Sequence, residues 1–167
     1  MSALFSYNKV DIKILSMLRS AIGDRNVSSD EEKLISYSHD EVPSSAYEDE
    51  YRAEALVFPE CSDHVSEIMK IASANRIPVT PRGAGTGLSG GALPAFGGLV
   101  MSFEKMNKII ELDEKNLTVT VEPGVVTSEI SKLAARHDLL YAGDPCSGDA
   151  SFIGGNIAEN AGGNKVI

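Results

Sequence analysis

The chain has 167 residues, of which 43% are hydrophobic and 23% charged, a balance that excludes disordered and fibrous classes and suits one domain with a real core. Its formal charge of −9 argues against a nucleic-acid partner, which needs a basic footprint. No apolar run approaches the ~20 residues of a membrane span, and the N-terminus lacks the basic-then-apolar order of a secretory signal. A cytoplasmic protein is expected. Residues 24–63 carry twelve acidic side chains against Arg25, Lys33 and Arg52, which accounts for the whole net charge. This stretch reads as a solvated acidic surface, with a docking face for a basic partner as the sharper alternative. Cys61 and Cys146 lie far apart, and His39, His64 and His137 are equally dispersed, so no disulfide framework or metal site is expected.

Val10, Ile14, Met17, Leu18 and Ala21 recur at helical spacing and Gly23 ends the run. Ser29 and Glu32 form a capping-box pattern before a short helix through Leu34 and Ile35. Residues 40–54 are polar, without a sustained period, and read as a connecting arm. Ala55–Phe58 is a short apolar strand ended by Pro59. Ser62 or Asp63 can cap the following helix, whose inner stripe is expected to be Val65, Ile68, Met69 and Ala72. Pro78–Pro81 is extended, a glycine-rich loop follows, and Leu99–Phe103 is the next strand; this spacing predicts a parallel βαβ unit. Ile110 and Leu112, then Leu117, Val119 and Val121, alternate with polar neighbours on either side of an Asp113–Asn116 turn, which predicts an antiparallel hairpin. Thr127 or Ser128 can cap a last long helix with Ile130, Leu133 and Ala134 inward. The fold class is α+β: a small parallel βαβ subdomain, then an antiparallel α+β subdomain.

Thirteen of the 15 glycines fall in two windows, seven within Gly83–Gly98 and six within Gly143–Gly163. Glycine loses the most backbone entropy on folding, so such concentrations need a cause. Loose linkers would be rich in Ser and charge, whereas these windows carry Leu88, Leu93, Phe96, Phe152 and Ile153. Successive glycines can take positive φ and aim several N–H groups at one point, making an anion nest that needs no Lys. A diphosphate cradle is the favoured reading and a tight structural turn the alternative. Arg82 stands at the mouth of the first window, able to bond a phosphate or to close an ion pair. Gly85, Gly87 and Gly90 fit G-x-G-x-x-G, but Pro94, Gly97, Gly98 and a strand follow, leaving no room for the helix a dinucleotide fingerprint requires. The Gly-Lys-Ser/Thr of a P-loop is missing from both windows. In the second window, a short helix following Gly154 and Gly155 would aim free N–H groups at an anion. Asn156 and Asn160, four apart, would share its face, either as ligand donors or as backbone staples.

The runs PRGAGTGLSGGALPAFGGLVMS, LTVTVEPGVV, and GDP followed by FIGGNIAENAGGNK together resemble the FAD-binding domain of the vanillyl-alcohol oxidase / p-cresol methylhydroxylase family, in its glycolate oxidase GlcD subunit and D-lactate dehydrogenase branch. The resemblance implies an FAD-binding domain over residues 37–167, truncated, with residues 1–36 as an N-terminal helical extension. It implies that Pro81, Arg82, Gly83, Ala84, Gly85, Thr86, Gly87, Leu88, Ser89 and Gly90 wrap the pyrophosphate and ribityl chain, and that Pro123 and Gly124 form a turn beside the flavin. Asp144, Pro145 and Gly148 would lie along the cofactor. Ser151, Ile153, Gly154, Gly155, Asn156 and Ala158 would pass near the ring and pyrophosphate, and Gly162 and Gly163 would close the second loop. Neither window holds the histidine that attaches FAD in some relatives, so noncovalent FAD is expected. Cys146 is expected to be a small packing residue.

The implied activity is oxidation of a small 2-hydroxy acid, glycolate or D-lactate in type, with electrons passed to an iron–sulfur partner subunit or quinone, and with peripheral association at the membrane through a partner as the implied variant of a cytoplasmic setting. The base and carboxylate-binding residues would lie in a cap domain beyond Ile167, so no catalytic residue is expected here and the portion alone is expected to be inactive. Missing strands would leave an open sheet edge, favouring a homodimer or aggregation. A UDP-N-acetylenolpyruvylglucosamine reductase shares the implied fold and is the second enzymatic reading. A non-catalytic nucleotide-binding or scaffolding module is the third.

Overall fold

A computed structural model describes residues 6–43 and 51–164. Of the expected connecting arm, residues 44–50 lie outside the described residues. The chain divides into two compact units: one formed by residues up to Arg82 with Gly87–Ser102, the other by Gly83–Thr86 with residues from Phe103 onward.

The first unit is a four-stranded sheet with helices. Helix α1 (Ile12–Ile22) is capped by Asp11, whose carboxylate accepts from the Ile14 N–H. It buries Ile14, Leu18 and Ile22, so the inner face runs through Ile22 while Met17 turns outward; Gly23 ends it at φ +87°. Strand β1 (Val27–Ser28), within the stretch read as a helical extension, joins the sheet. Helix α2 (Glu31–Ser36) forms as expected, but its cap is Asp30 rather than Ser29. The Asp30 carboxylate accepts from the Lys33 N–H, and Lys33 cannot return an acceptor, so no reciprocal box closes.

Strand β2 (Ala55–Val57) leads into α3 (Ser62–Ala74), and β3 (Val79–Arg82) and β4 (Leu99–Ser102) complete the sheet in the order β1-β2-β4-β3. The parallel pairing holds, with β4 inserted between β2 and β3: Leu56 and Thr80 both face Val100. β4 is buried along its whole length, which is why it reads as continuous Leu-Val-Met rather than alternation. Pro81 is tolerated because β3 is an edge strand, where a missing N–H breaks no ladder. Helix α3 starts from Cys61 without a side-chain cap, in place of Ser62 or Asp63. Its buried residues are Ile68, Ile71 and Ala72; Met69 is exposed because Ile71 occupies the i+3 position on that face. Leu34 and Tyr37 pack on a core of Ala53, Leu56, Phe58 and Val100.

In the second unit, β5 (Ile109–Asp113) and β6 (Thr118–Val121) form the expected antiparallel hairpin, with an irregularity between Ile109 and Glu111 that leaves Ile110 bulged and exposed. Leu117 is exposed too, held in the turn at φ +54° rather than in the strand. Helix α4 (Thr127–Ala135) has Val126 as its cap residue and buries Ile130 and Ala134. Thr127 is not a capping side chain; its hydroxyl is buried against Ser151. A short α5 (Ile153–Ala158) places Ile153 in a core with Val125 and Ile130, on which Val119, Val121 and Tyr141 pack.

The hairpin turn is organised by Asp113. Its carboxylate accepts from the Lys115 and Asn116 N–H groups at 3.0 Å and from Asn116 Nδ2 at 2.6 Å. The Asn116 side-chain amide, then its main-chain N–H, hold the carboxyl below its ordinary value. A depressed carboxyl stabilises above its unfolded pKa and loses that contribution as pH falls through the folded value. The turn is therefore expected to be intact at neutral pH and to loosen only below the ordinary aspartate range. NMR of the Asn116 side-chain amide across an acid titration reads this directly, and Asp113→Asn should abolish the pH dependence.

Candidate functional site

The two glycine windows meet inside the second unit. A Cβ built on Gly83 would lie 3.6 Å from Phe152 Cβ and 3.9 Å from Gly155 Cα and N. Gly85 is left-handed, at φ +79°. Among the described residues, the main-chain N–H groups of Ala84, Gly85 and Thr86 donate to no protein acceptor. Buried or half-buried amides are nearly always paired in a folded protein, so this row of donors has the character of a nest awaiting an acceptor.

Several other glycines serve the fold. At Gly124 a Cβ would collide with the Phe103 carbonyl, and at Gly163 with the Asp144 carbonyl. At Gly154 it would sit 2.7 Å from Pro123 Cβ and 2.9 Å from Pro123 O. In the first unit, Gly98 lies against Pro78 in the same way. At these positions a backbone or side-chain neighbour requires glycine, as the structural-turn reading expects. Gly155 is the exception. Its φ is not positive, and a Cβ there would meet no described atom within 4 Å. No neighbour in the fold requires glycine inside this helix, where it costs about 1 kcal/mol relative to Ala.

The free helix N-terminus expected in the second window is corrected by the structure. Helix α5 begins at Ile153, and Ile153 and Gly154 give their N–H groups to Val125 O and Pro123 O, both at 2.9 Å. Of the first-turn amides, Gly155's donates to no acceptor among the described residues. Asn160 does not share a helical face with Asn156. It takes φ +55° as the left-handed residue ending α5, while the Ala161 N–H returns to Asn156 O at 2.7 Å.

Asn156 is a staple. Its Nδ2 donates to Thr127 Oγ1 at 2.6 Å and Ser151 Oγ at 3.0 Å, and the Thr127 hydroxyl lies within bonding distance of Ser151 O and Oγ. Thr127 and Ser151 are each 1% exposed. This network, with an isolated bridge from Val126 to Phe152, ties the start of α4 to the start of α5. Sequence reasoning missed Thr127 in this role. A hydroxyl residue at a helix start signals a cap first, and only the position of Ser151 reveals the other partner.

Asp144, Pro145 and Gly148 lie in a loop where the Gly148 N–H returns to Pro145 O; Asp144 is also the residue that Gly163 closes upon. Cys146 is exposed, not packed, because Pro145 takes the buried position beside it. Burial raises the pKa of Tyr141, which borders an apolar pocket of about 210 Å³ lined by Leu112, Val119, Ile130 and Leu133 among others. A wider cleft of about 530 Å³ adjoins Gly124, Val125 and Phe152, with Glu104 and Glu129 also in its lining.

In the first unit, Pro81 and Arg82 end β3. Arg82 is buried, its guanidinium 5.5 Å from the centre of the Tyr37 ring and donating to the His39 carbonyl. The Gly87 and Leu88 amides donate to no acceptor among the described residues, and Leu88 is 73% exposed. Gly90 stands at φ +82° with its N–H on Asp40 Oδ2. No helix follows this loop before β4, in keeping with rejection of the Rossmann reading.

An α+β frame that leaves main-chain donors and one unobstructed helical glycine beside each other defines a nucleotide-cofactor-binding protein. The chain belongs to the FAD binding domain family, whose model matches residues 53–167. It is 42% identical over 147 residues to the glycolate oxidase subunit GlcD of Bacillus subtilis, covering 87% of this chain and 30% of the relative. It is 36% identical over 163 residues to a D-lactate dehydrogenase of Anaerostipes hadrus, covering 98% and 33%. Among solved structures, the 4-ethylphenol oxidase from Gulosibacter chungangensis in its isoeugenol complex superposes with a TM-score of 0.75 at 27% identity, over 86% of this chain and 28% of that one. The chain therefore spans about a third of the length of the curated relatives it matches. The family's cofactor is FAD, and the residues present fit it: unengaged amides suit its diphosphate, and the open side of Gly155 admits a close approach.

Paired substitutions separate the two kinds of glycine. Gly154→Ala is expected to destabilise the chain by about 1–3 kcal/mol through overpacking on Pro123. Gly155→Ala is expected to leave stability unchanged or raise it by up to about 1 kcal/mol, yet to weaken FAD binding at least about tenfold. Chemical denaturation and flavin fluorescence titration read the two effects.

Proposed function

We propose that this chain is the cofactor-holding part of a flavin-dependent dehydrogenase or oxidase that converts a small 2-hydroxy acid, of the glycolate or D-lactate type, to the 2-keto acid. The observation that carries the reading is the convergence of Gly83 on Phe152 and Gly155, beside amides with no protein acceptor. The names of the similar proteins supply the substrate class: a glycolate oxidase subunit and a D-lactate dehydrogenase.

In this proposal FAD is bound noncovalently, in the domain spanning residues 37–167, with residues 1–36 as the extension preceding it. The residues assigned to it are Pro81–Gly90, Pro123, Gly124, Asp144, Pro145, Gly148, Ser151, Ile153–Asn156, Ala158, Gly162 and Gly163. Their tasks differ. The amides of Ala84–Leu88 and Gly155 donate to the cofactor. Asn156 acts at one remove, holding Thr127 and Ser151 so that the start of α5 keeps its place. FAD, when bound, would supply a two-electron acceptor for the hydride of the substrate α-carbon; no residue of this chain is assigned as the base. The work of these residues is to bind and orient.

The proposal extends to an iron–sulfur partner subunit as electron acceptor, a cytoplasmic setting, and self-association of the 167-residue chain. No helix of the described residues is long and apolar enough to cross a membrane. The hairpin β5–β6, a two-stranded sheet among the described residues, supports self-association, which light scattering measures.

The test uses the protein encoded by the full reading frame. It should purify with flavin absorbance, release that flavin into the supernatant on acid precipitation, and bleach anaerobically with glycolate or D-lactate. Bleaching by NADPH alone would instead favour the reductase reading, and a colourless protein that takes up no FAD would end the proposal.

A further inference from the structure

The segment that follows α2 is bonded at each residue from Ser38 to Val42, and two of its bonds, at Asp40 and Glu41, reach the glycine-rich loop of the first unit. Ser38 Oγ donates to Leu34 O at 2.6 Å and accepts from the Ala53 N–H at 2.9 Å. The His39 carbonyl receives Arg82. The Glu41 N–H donates to Gly87 O at 3.3 Å. Between them, Asp40 is 6% exposed and accepts on both oxygens: Oδ1 from the Val42 N–H at 3.0 Å, Oδ2 from the Gly90 N–H at 3.1 Å. Gly87 and Gly90 are thus each held by one residue of this strap, and the residues they bracket include Leu88, whose amide is unengaged.

A buried carboxylate is costly unless its oxygens are satisfied. Here the donors include two main-chain amides, so the charge is met by the backbone it orders. Asp40 also engages one donor of the loop directly. It takes the amide of left-handed Gly90, and the bonds at Gly87 and Gly90 then leave the Gly87 and Leu88 amides in a fixed attitude. A loop already ordered binds more tightly than one that must be ordered on contact.

We infer that Asp40 is a positioning residue for the cofactor's diphosphate: it touches no ligand itself, but holds Gly87–Gly90 in the conformation that presents free amides. The inference rests on the proposed FAD site. It goes beyond that site by placing a determinant of cofactor affinity in a segment the sequence presents as a polar arm.

The test compares the full chain with Asp40→Asn and Glu41→Ala. Asn keeps the size and one acceptor oxygen while losing the second. Glu41 is exposed, and its replacement removes the same charge from the same segment while leaving the Glu41 main-chain bond to Gly87. Hydrogen exchange without FAD should show faster exchange confined to peptides covering residues 87–91 in Asp40→Asn. FAD titration by flavin fluorescence should show affinity about tenfold to a hundredfold weaker, with Glu41→Ala like wild type in both. Unchanged exchange in Asp40→Asn would overturn the inference. So would faster exchange with wild-type affinity, which makes the strap merely structural, or an equal loss in Glu41→Ala, which makes bulk charge the cause. If wild type itself binds no FAD, the underlying site reading fails first, and is seen to fail before any variant is compared.

Discussion

Close approach of one stretch of main chain to another is the constraint on which the second unit depends. Gly124 against Phe103 and Met106, Gly154 against Pro123, and Gly163 against Asp144 each leave no room for a methyl group. These contacts place three loops side by side, with the Ile153 and Gly154 amides bonded to the turn around Pro123. The nest that results is not a feature added to a finished fold. The glycines that let the loops touch also decide which amides are consumed internally and which are left over. Ala84, Gly85, Thr86 and Gly155 are among the amides left over once the fold has made its internal bonds. The distinction matters for reading any glycine-rich window: glycine density reports crowding of backbone, and only the exposed side of particular glycines reports a ligand.

That division also explains what the sequence discloses and what it hides. The windows themselves, the absence of a helix after the first one, the parallel and antiparallel elements and the hairpin turn are legible, because apolar period and turn chemistry are local properties. Strand order is not, since nothing local says that β4 inserts between β2 and β3. The cap of α2 departs from the expected residue because Ser29-Asp30 offers two eligible side chains and Asp30 is the one used, whereas α3 and α4 start from Cys61 and Val126 with no side-chain cap. The expected anion-facing end of α5 fails because its competitors, the carbonyls of Pro123 and Val125, lie roughly thirty residues away in the chain. Asn160 shows the same limit on a smaller scale: four-residue spacing implies a shared face only if the helix continues, and here it ends first.

A chain of net charge −9 that holds a diphosphate is a contradiction only until the acids are followed individually. Asp30 caps α2, Glu60 pairs with Arg25 at 3.0 Å, Glu31 lies 3.5 Å from Arg52, and Asp40 is bound to amides. Exposed charges beyond these are screened over about 8 Å at physiological salt. Meanwhile Arg82, the cation nearest the glycine loop in sequence, is engaged with the His39 carbonyl and the Tyr37 ring. An anion held here must therefore be gripped by neutral dipoles at contact distance. Such donors lose less to solvent screening than surface lysines do, because the interaction depends on direct hydrogen-bond geometry rather than on long-range field. The acidic composition and the anionic cofactor are compatible because they act on different length scales, and the strap carrying Asp40 joins them: an acid of the chain, bonded to the loop's own amide, orders donors for an acid of the ligand.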